Sequence, residues 1–354
     1  MKLDMMIGAL ATIITTSVSA QTTPNYAEKL GWKKDDKVII FHVDDAGMSY
    51  ESNKGAIKAM EFGIATSVSV MMPCPWSAAM LKYLNEHPEF DAGLHLTHTS
   101  EWKDYRWGPV TGNSVSAGLV DHDGALWNNV NDVLKHATTN EIEAEIEAQI
   151  KKAKLIGFKP THLDTHMGTL WASPQFLECY INAGVKEHIP VLYAGGHGTL
   201  LMEQLPSSPL SGLSRLAEGQ STDKKTQNEV LAAIQKKGHD IWKKGLAVVD
   251  DMYVSSYDWS LPENLKPTDK NLDNFKTKKY KALLESLKPG ITVIMVHCSD
   301  TGTNEFFQNI SNSGNTRKGD LLAMKNSGLK KYIQEQGIIL TTWRELQERR
   351  DKCD

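Results

Sequence analysis

Short apolar runs that stop at Asp, Gly or His recur along this chain, and they restrict it to an architecture of buried strands. Val38-Ile39-Ile40-Phe41 leads into His42-Val43-Asp44-Asp45-Ala46-Gly47. Gly93-Leu94-His95-Leu96-Thr97-His98 and Thr161-His162-Leu163-Asp164-Thr165-His166 follow, and Gly290 to Val296 ends at His297. Runs of this length, closed by turn formers, read as strands buried on both faces. Packing alone gives such a strand no reason to end in two adjacent carboxylates, because a charge beside the core is costly unless it is paired or bound to a metal. An Asp pair and separate His sites, each where an apolar run expires, suit a metal-assisted hydrolase.

Between these runs the pattern is helical. The spacing predicts strands at about 37–43, 66–72, 90–97, 160–165, 189–193, 246–249, 290–297 and 338–341. Helices are predicted at about 50–62, 76–86, 140–155, 174–183, 226–237, 274–287 and 319–335. Ser49 or Ser52 caps the first, and Gly63 closes it. The helix from Asn140 carries acids early and lysines late, matching the helix dipole. Strand–helix alternation of this kind makes an α/β fold with a parallel sheet. The polar singularities fall at strand C-terminal ends, where barrel folds carry their chemistry. A doubly wound open sheet is the alternative, but no Gly-rich phosphate loop or nucleotide fingerprint is present. The stretches around 99–136 and 195–245 read as insertions over the rim.

The 354 residues carry 39 basic and 43 acidic side chains with no long block of either sign, which argues against a nucleic-acid surface. Met5 to Ser19 is mostly apolar or small, and Val18-Ser19-Ala20 has the character of a cleavage site. The expected organisation is a signal peptide over 1–20 and a single catalytic domain over 21–354, placed in the periplasm or secreted. No later segment is apolar for long enough to span a bilayer. Cys74, Cys179, Cys298 and Cys353 are too widely spaced for a Cys-x-x-Cys site. A thiol nucleophile at Cys298 would leave the carboxylate pair without a task.

Adjacent residues at a strand end point in different directions, so one of Asp44 and Asp45 can hold a metal while the other serves as general base. His95 faces away from Leu94 and Leu96, in a ligand direction. His162, Asp164 and His166 share a face if the strand persists; His166 at the loop end has the best reach to a metal, His162 can ligate or merely pack, and Asp164 can orient a ligand histidine through its second nitrogen. His297 can protonate a leaving amine or act as a fourth ligand. Asp250-Asp251 follows another apolar run and can hold a sugar hydroxyl or His297. Trp102, Tyr105, Trp107, Trp127, Trp171 and Trp259 offer flat faces for a sugar ring or pack the loops, with Trp107 and Trp171 singled out to bind substrate or to support the site from behind. Mixed His/Asp ligation favours zinc, with magnesium, cobalt or nickel as alternatives.

Taken together, His42-Val43-Asp44-Asp45-Ala46-Gly47-Met48-Ser49, Asn53-Lys54-Gly55-Ala56-Ile57, Thr66-Ser67-Val68-Ser69-Val70-Met71, Gly93-Leu94-His95-Leu96-Thr97 and Pro160-Thr161-His162-Leu163-Asp164-Thr165-His166 resemble the YdjC-like carbohydrate deacetylases. The resemblance implies a distorted (β/α) barrel like that of polysaccharide deacetylases, with long rim loops. It implies one divalent metal on Asp45, His95 and His166, Asp44 as general base and His297 as general acid. The implied reaction is removal of N-acetyl groups from an amino-sugar oligosaccharide or glycan. O-deacetylation, other amide or ester cleavage, and non-catalytic glycan binding are the competing functions. The chain departs from the family pattern at His42-Val43, where Asn-Ala is common, at Cys298-Ser299 in place of Pro-Gly, and at Met167-Gly168-Thr169.

Overall fold

The computed structural model describes residues 25–206, 210, 212–213, 224–301 and 306–353. The expected signal peptide, 1–20, lies outside the described residues. Among the described residues, seven strands form one parallel sheet: β1 (Lys37–Ala46), β2 (Ser67–Val70), β3 (Ala92–Leu96), β4 (Leu163–Thr165), β5 (Asp251–Tyr253), β6 (Gly290–Val296) and β7 (Ile339–Leu340). Their order is β4-β3-β2-β1-β6-β5, with β7 beside the start of β1. β1 is the axis of the sheet. It pairs with β6 from Lys37 to Val43 on one side, and with β7 and then β2 on the other.

The outer strands β4 and β5 are linked through a stretch that makes only isolated bridges, Leu163 to Val191 and Ala194 to Val249. The sheet therefore curls into a distorted barrel with one thin wall. Apart from the short, half-buried β7, its strands are largely buried on both faces, as helix-covered parallel strands must be; every residue of β6 is inside.

Local sequence explains most boundaries. Ser49 is the cap of the helix Tyr50–Phe62, its side chain accepting from the Ser52 amide. The helix Thr139–Leu155 starts with a reciprocal capping box between Thr138 and Glu141. The predicted long helix over 319–335 is in fact two, Gly314–Met324 and Ser327–Glu335, because the Asn326 side chain accepts from the Leu329 amide and restarts the turn. Much of the insertion around 195–245 is helical, Thr199–Gln204 and Lys224–Lys243.

Two predicted strands are displaced. The run 189–193 contributes single bridges rather than a ladder. The apolar run 246–249 precedes a strand instead of forming one, since β5 begins at Asp251. The acids after that run consequently stand at the entrance of a strand, not at its exit.

Candidate active site and metal centre

The ends of β1, β3, β4 and β6 converge on one open cavity of about 350 Å³, whose lining includes Asp44, Asp45, His95, His166, Trp171 and His297. A larger hollow of about 480 Å³ between the helices Thr139–Leu155 and Pro174–Glu187 has no comparable set of groups. Asp44 and Asp45 both reach the cavity because the strand is irregular there. The pairing of β1 with β2 shifts register between Val43 and Ala46, and Asp45 takes a left-handed φ of 64°. A non-glycine residue held in that region costs of order 1–3 kcal/mol, and such strain gathers at functional sites.

Asp45 Oδ1, His95 Nε2 and His166 Nδ1 form a nearly equilateral triangle. The two carboxylate–histidine edges are 3.4 Å and the His95–His166 edge is 3.2 Å. Ligand atoms about 2.0–2.2 Å from a common ion stand roughly 3.0–3.4 Å apart, so the triangle fits a first-row divalent metal.

Proton placement makes the same point. Asp164 Oδ1 lies 2.7 Å from His95 Nδ1 and takes its N–H, leaving a lone pair on Nε2. Glu101 Oε2, 3.0 Å from His166 Nε2, takes that N–H and leaves a lone pair on Nδ1. Asp45 Oδ1 has no hydrogen-bond donor among the described residues. Three lone pairs facing one another in a buried place call for a cation. Asp45 Oδ2 is held separately, 2.8 Å from Arg317 Nη1. The Arg317 guanidinium lies over Trp102, Tyr257 and Phe307 at 5.8, 5.2 and 5.3 Å from the ring centroids.

The electrostatics follow from these partners. Burial by itself would raise the Asp45 carboxyl, but Arg317, with His166 and His95, holds it well below the ordinary carboxylate range. Burial lowers the His166 pKa, yet Glu101 and Asp45 outweigh it and lift the value to about 9, drawing positive charge to the spot. Asp164 is desolvated but kept ionised by His95 and His42. For His42 the two influences conflict. Burial works against the charged ring, and Asp164 and Asp44 work for it. The Trp343 indole N–H, however, points at Nδ1 from 3.2 Å, and a second proton there would face a donor. The indole contact decides for a neutral ring. Burial also lowers the His297 imidazole below its ordinary value, with Asp45 and Asp44 pulling the other way.

Asp44 Oδ2 stands 3.8 Å from His297 Nε2 across the cavity. His297 is held by its own amide, which donates to Asp320 Oδ2 at 3.1 Å, and by the Tyr257 ring at 4.7 Å. Trp171 lines the cavity, and its indole N–H has no partner among the described residues.

One expectation requires correction. Asp251 is not in the cavity: it accepts from the Leu200 and Leu201 amides at 2.9 and 3.0 Å and so caps the helix Thr199–Gln204. Its neighbour Asp250 accepts from the amides of Tyr26, Ala27 and Ile291. Of the two roles open to Trp107, substrate wall or support for the site, the structure shows the second: it packs behind His166, with ring centroids 6.3 Å apart, and donates to the Thr99 carbonyl. Of the two readings open to His162, ligand or packing, the structure shows packing: the ring is buried and stacked on Trp343 at 5.5 Å. All four cysteines are free, and burial pushes the Cys298 thiol well above its usual value, which disfavours a thiolate.

Glu101, Arg317 and Tyr257 had not been singled out in the sequence, because no spacing ties them to the site. Glu101, six residues beyond His95, was the one within reach of local reasoning.

A family model described as YdjC-like protein matches residues 38–335. The chain is 25% identical over 307 residues to a carbohydrate deacetylase of Thermoanaerobacter pseudethanolicus, covering 87% of this chain and 98% of that one. It is 34% identical over 145 residues to a carbohydrate deacetylase of Thermus thermophilus, covering 41% of this chain and 49% of that protein. In three dimensions it is similar to a putative cellobiose-phosphate cleavage protein from Enterococcus faecalis, with a TM-score of 0.63 at 18% identity over 88% of this chain and 99% of that one. That likeness concerns the fold.

Proposed function

The chain belongs to the YdjC-like family, and on that footing we propose that it removes N-acetyl groups from an amino-sugar oligosaccharide or glycan outside the cytoplasm. The family and the buried His/Asp cluster support metal-dependent hydrolysis; the carbohydrate amide is the finer reading. The observation that carries it is the placing of a carboxylate, Asp44, and an imidazole, His297, on either side of one cavity, beside the Asp45–His95–His166 triangle.

A divalent metal on Asp45, His95 and His166 supplies Lewis-acid polarisation of the acyl carbonyl and lowers the pKa of water at the site; two imidazoles and one carboxylate make zinc the first choice. Asp44 accepts the proton of the attacking water through Oδ2, the oxygen that faces His297. His297, whose lowered pKa leaves Nε2 free to take up the proton from Asp44 Oδ2 3.8 Å away, passes it to the departing nitrogen as the C–N bond breaks, giving acetate and a free amine and returning Asp44 to its carboxylate. Trp102 and Trp171 supply apolar walls for the sugar ring.

Acetate and free amine should appear together when the zinc-loaded protein is given a panel of N-acetylated oligosaccharides. Acetate without amine from O-acetylated sugars would move the reading to an esterase, and no acetate from either class would end it. The extracytoplasmic placement rests on the 1–20 segment. Amino-terminal sequencing of native material should start at Gln21, and an intact Met1 would reject it.

A further inference from the structure

We propose that His42 is a positioning residue that couples the base Asp44 to Asp164, the carboxylate behind the metal ligand His95, and that Trp343 sets the tautomer in which it does so. The proposal rests on the hydrolytic reading above, since it explains how that reading's base is held.

His42, Asp44 and Asp164 lie together with the spacing of a possible ion site, but the spacing belongs to hydrogen bonds. His42 Nε2 is 2.6 Å from Asp164 Oδ2, whereas two ligands of one ion stand about 3 Å or more apart. A proton fills this gap. Trp343 Nε1 lies 3.2 Å from His42 Nδ1, and an indole nitrogen only donates. Nδ1 is therefore an acceptor, and the ring proton is on Nε2. From there it is donated to Asp164 Oδ2 at 2.6 Å, while Asp44 Oδ1, 3.2 Å from the same nitrogen, is the next polar atom beside it and has no hydrogen bond of its own among the described residues.

The consequences run in both directions from the imidazole. Asp164 receives three donors: His42, His95 Nδ1 at 2.7 Å and Ser69 Oγ at 2.8 Å. It is thereby fixed as the acceptor that turns the His95 lone pair toward the triangle. Asp44 turns its Oδ1 toward the imidazole, 3.2 Å from Nε2, and its Oδ2 toward His297. Without the His42 N–H, two buried carboxylates would meet with nothing between them and repel. Trp343 is itself fixed: its amide donates to Asp91 Oδ2 at 3.1 Å, and its ring stacks on His162 at 5.5 Å. The start of the helix Trp343–Arg350 thus reaches the reacting carboxylate through two side chains.

The test combines kinetics with the proton itself. His42→Leu, which removes the donor, should lower kcat about 10–100-fold, the usual effect of losing a partner behind the reacting groups, with KM changed less than about threefold. His42→Gln, which keeps an N–H at similar reach, should recover most of the loss. Trp343→Phe keeps the ring and removes the indole donor; it should lower kcat and change the His42 tautomer in the spectrum of ¹⁵N-histidine-labelled protein. Wild-type protein should show His42 neutral and protonated on Nε2. A proton on Nδ1, or Gln doing no better than Leu in folded protein, would overturn the proposal. Wild-type protein that releases no acetate sinks the function above instead, because the tautomer and its change in Trp343→Phe are read without turnover.

Discussion

Asp44 and Asp45 are neighbours in the chain but serve different partners. Asp45 is drawn to Arg317 and the two ligand histidines, while Asp44 lies between His42 and His297. The proposed division of labour therefore predicts a division of phenotypes. Asp44→Asn should keep its metal, measured by atomic absorption, and lose about 10²–10⁴-fold in turnover, because an amide cannot take the proton. His95→Ala and His166→Ala should lose metal and activity together. Near-normal turnover by Asp44→Asn would remove the residue from the reaction. At this scale the residue types were legible and their orientation was not. His162 and His166 shared a face in the strand pattern, but β4 ends at Thr165 and only the second reaches the cavity. Both carboxylates enter it because Asp45 takes a left-handed backbone within a register shift.

Elements decide which strand ends face the chemistry. The acids at 250–251 resemble those at 44–45 in following an apolar run, yet β1 runs into its pair while β5 starts from its own. Asp251 is bonded to the first amides of the helix Thr199–Gln204. Asp251→Ala should therefore cost about 1–3 kcal/mol of stability by stranding buried donors, with metal affinity and turnover by the folded protein near wild type. Urea unfolding alongside metal titration checks this. A selective loss of turnover in a variant of normal stability would restore Asp251 to the site. The division of the helical region after 314 has a similarly local cause, the Asn326 cap, which periodicity alone does not reveal.

Across the whole molecule, the triangle joins β1, β3 and the turn that follows β4, so a bound ion would cross-link distant parts of the sheet. A ligand present at 100 times its dissociation constant stabilises by about 2.7 kcal/mol. At about 2–4 °C per kcal/mol for a chain of this order, chelation should lower Tm by about 5–10 °C, with zinc restoring it; an unchanged Tm in protein verified as metal-loaded beforehand would argue against that linkage. The sequence alone determined the strand–helix alternation, the parallel α/β class, the Asp pair and the histidine-bearing strand ends, since apolar runs and caps are local signals; the barrel followed from the family resemblance. The tertiary structure alone decided that Glu101 steadies His166, that Arg317 holds one oxygen of Asp45, and that Trp343 reaches His42 across 301 positions of chain. Those contacts depend on how the sheet curls and where the last helix docks, and no periodicity along the chain encodes a meeting between residues so far apart.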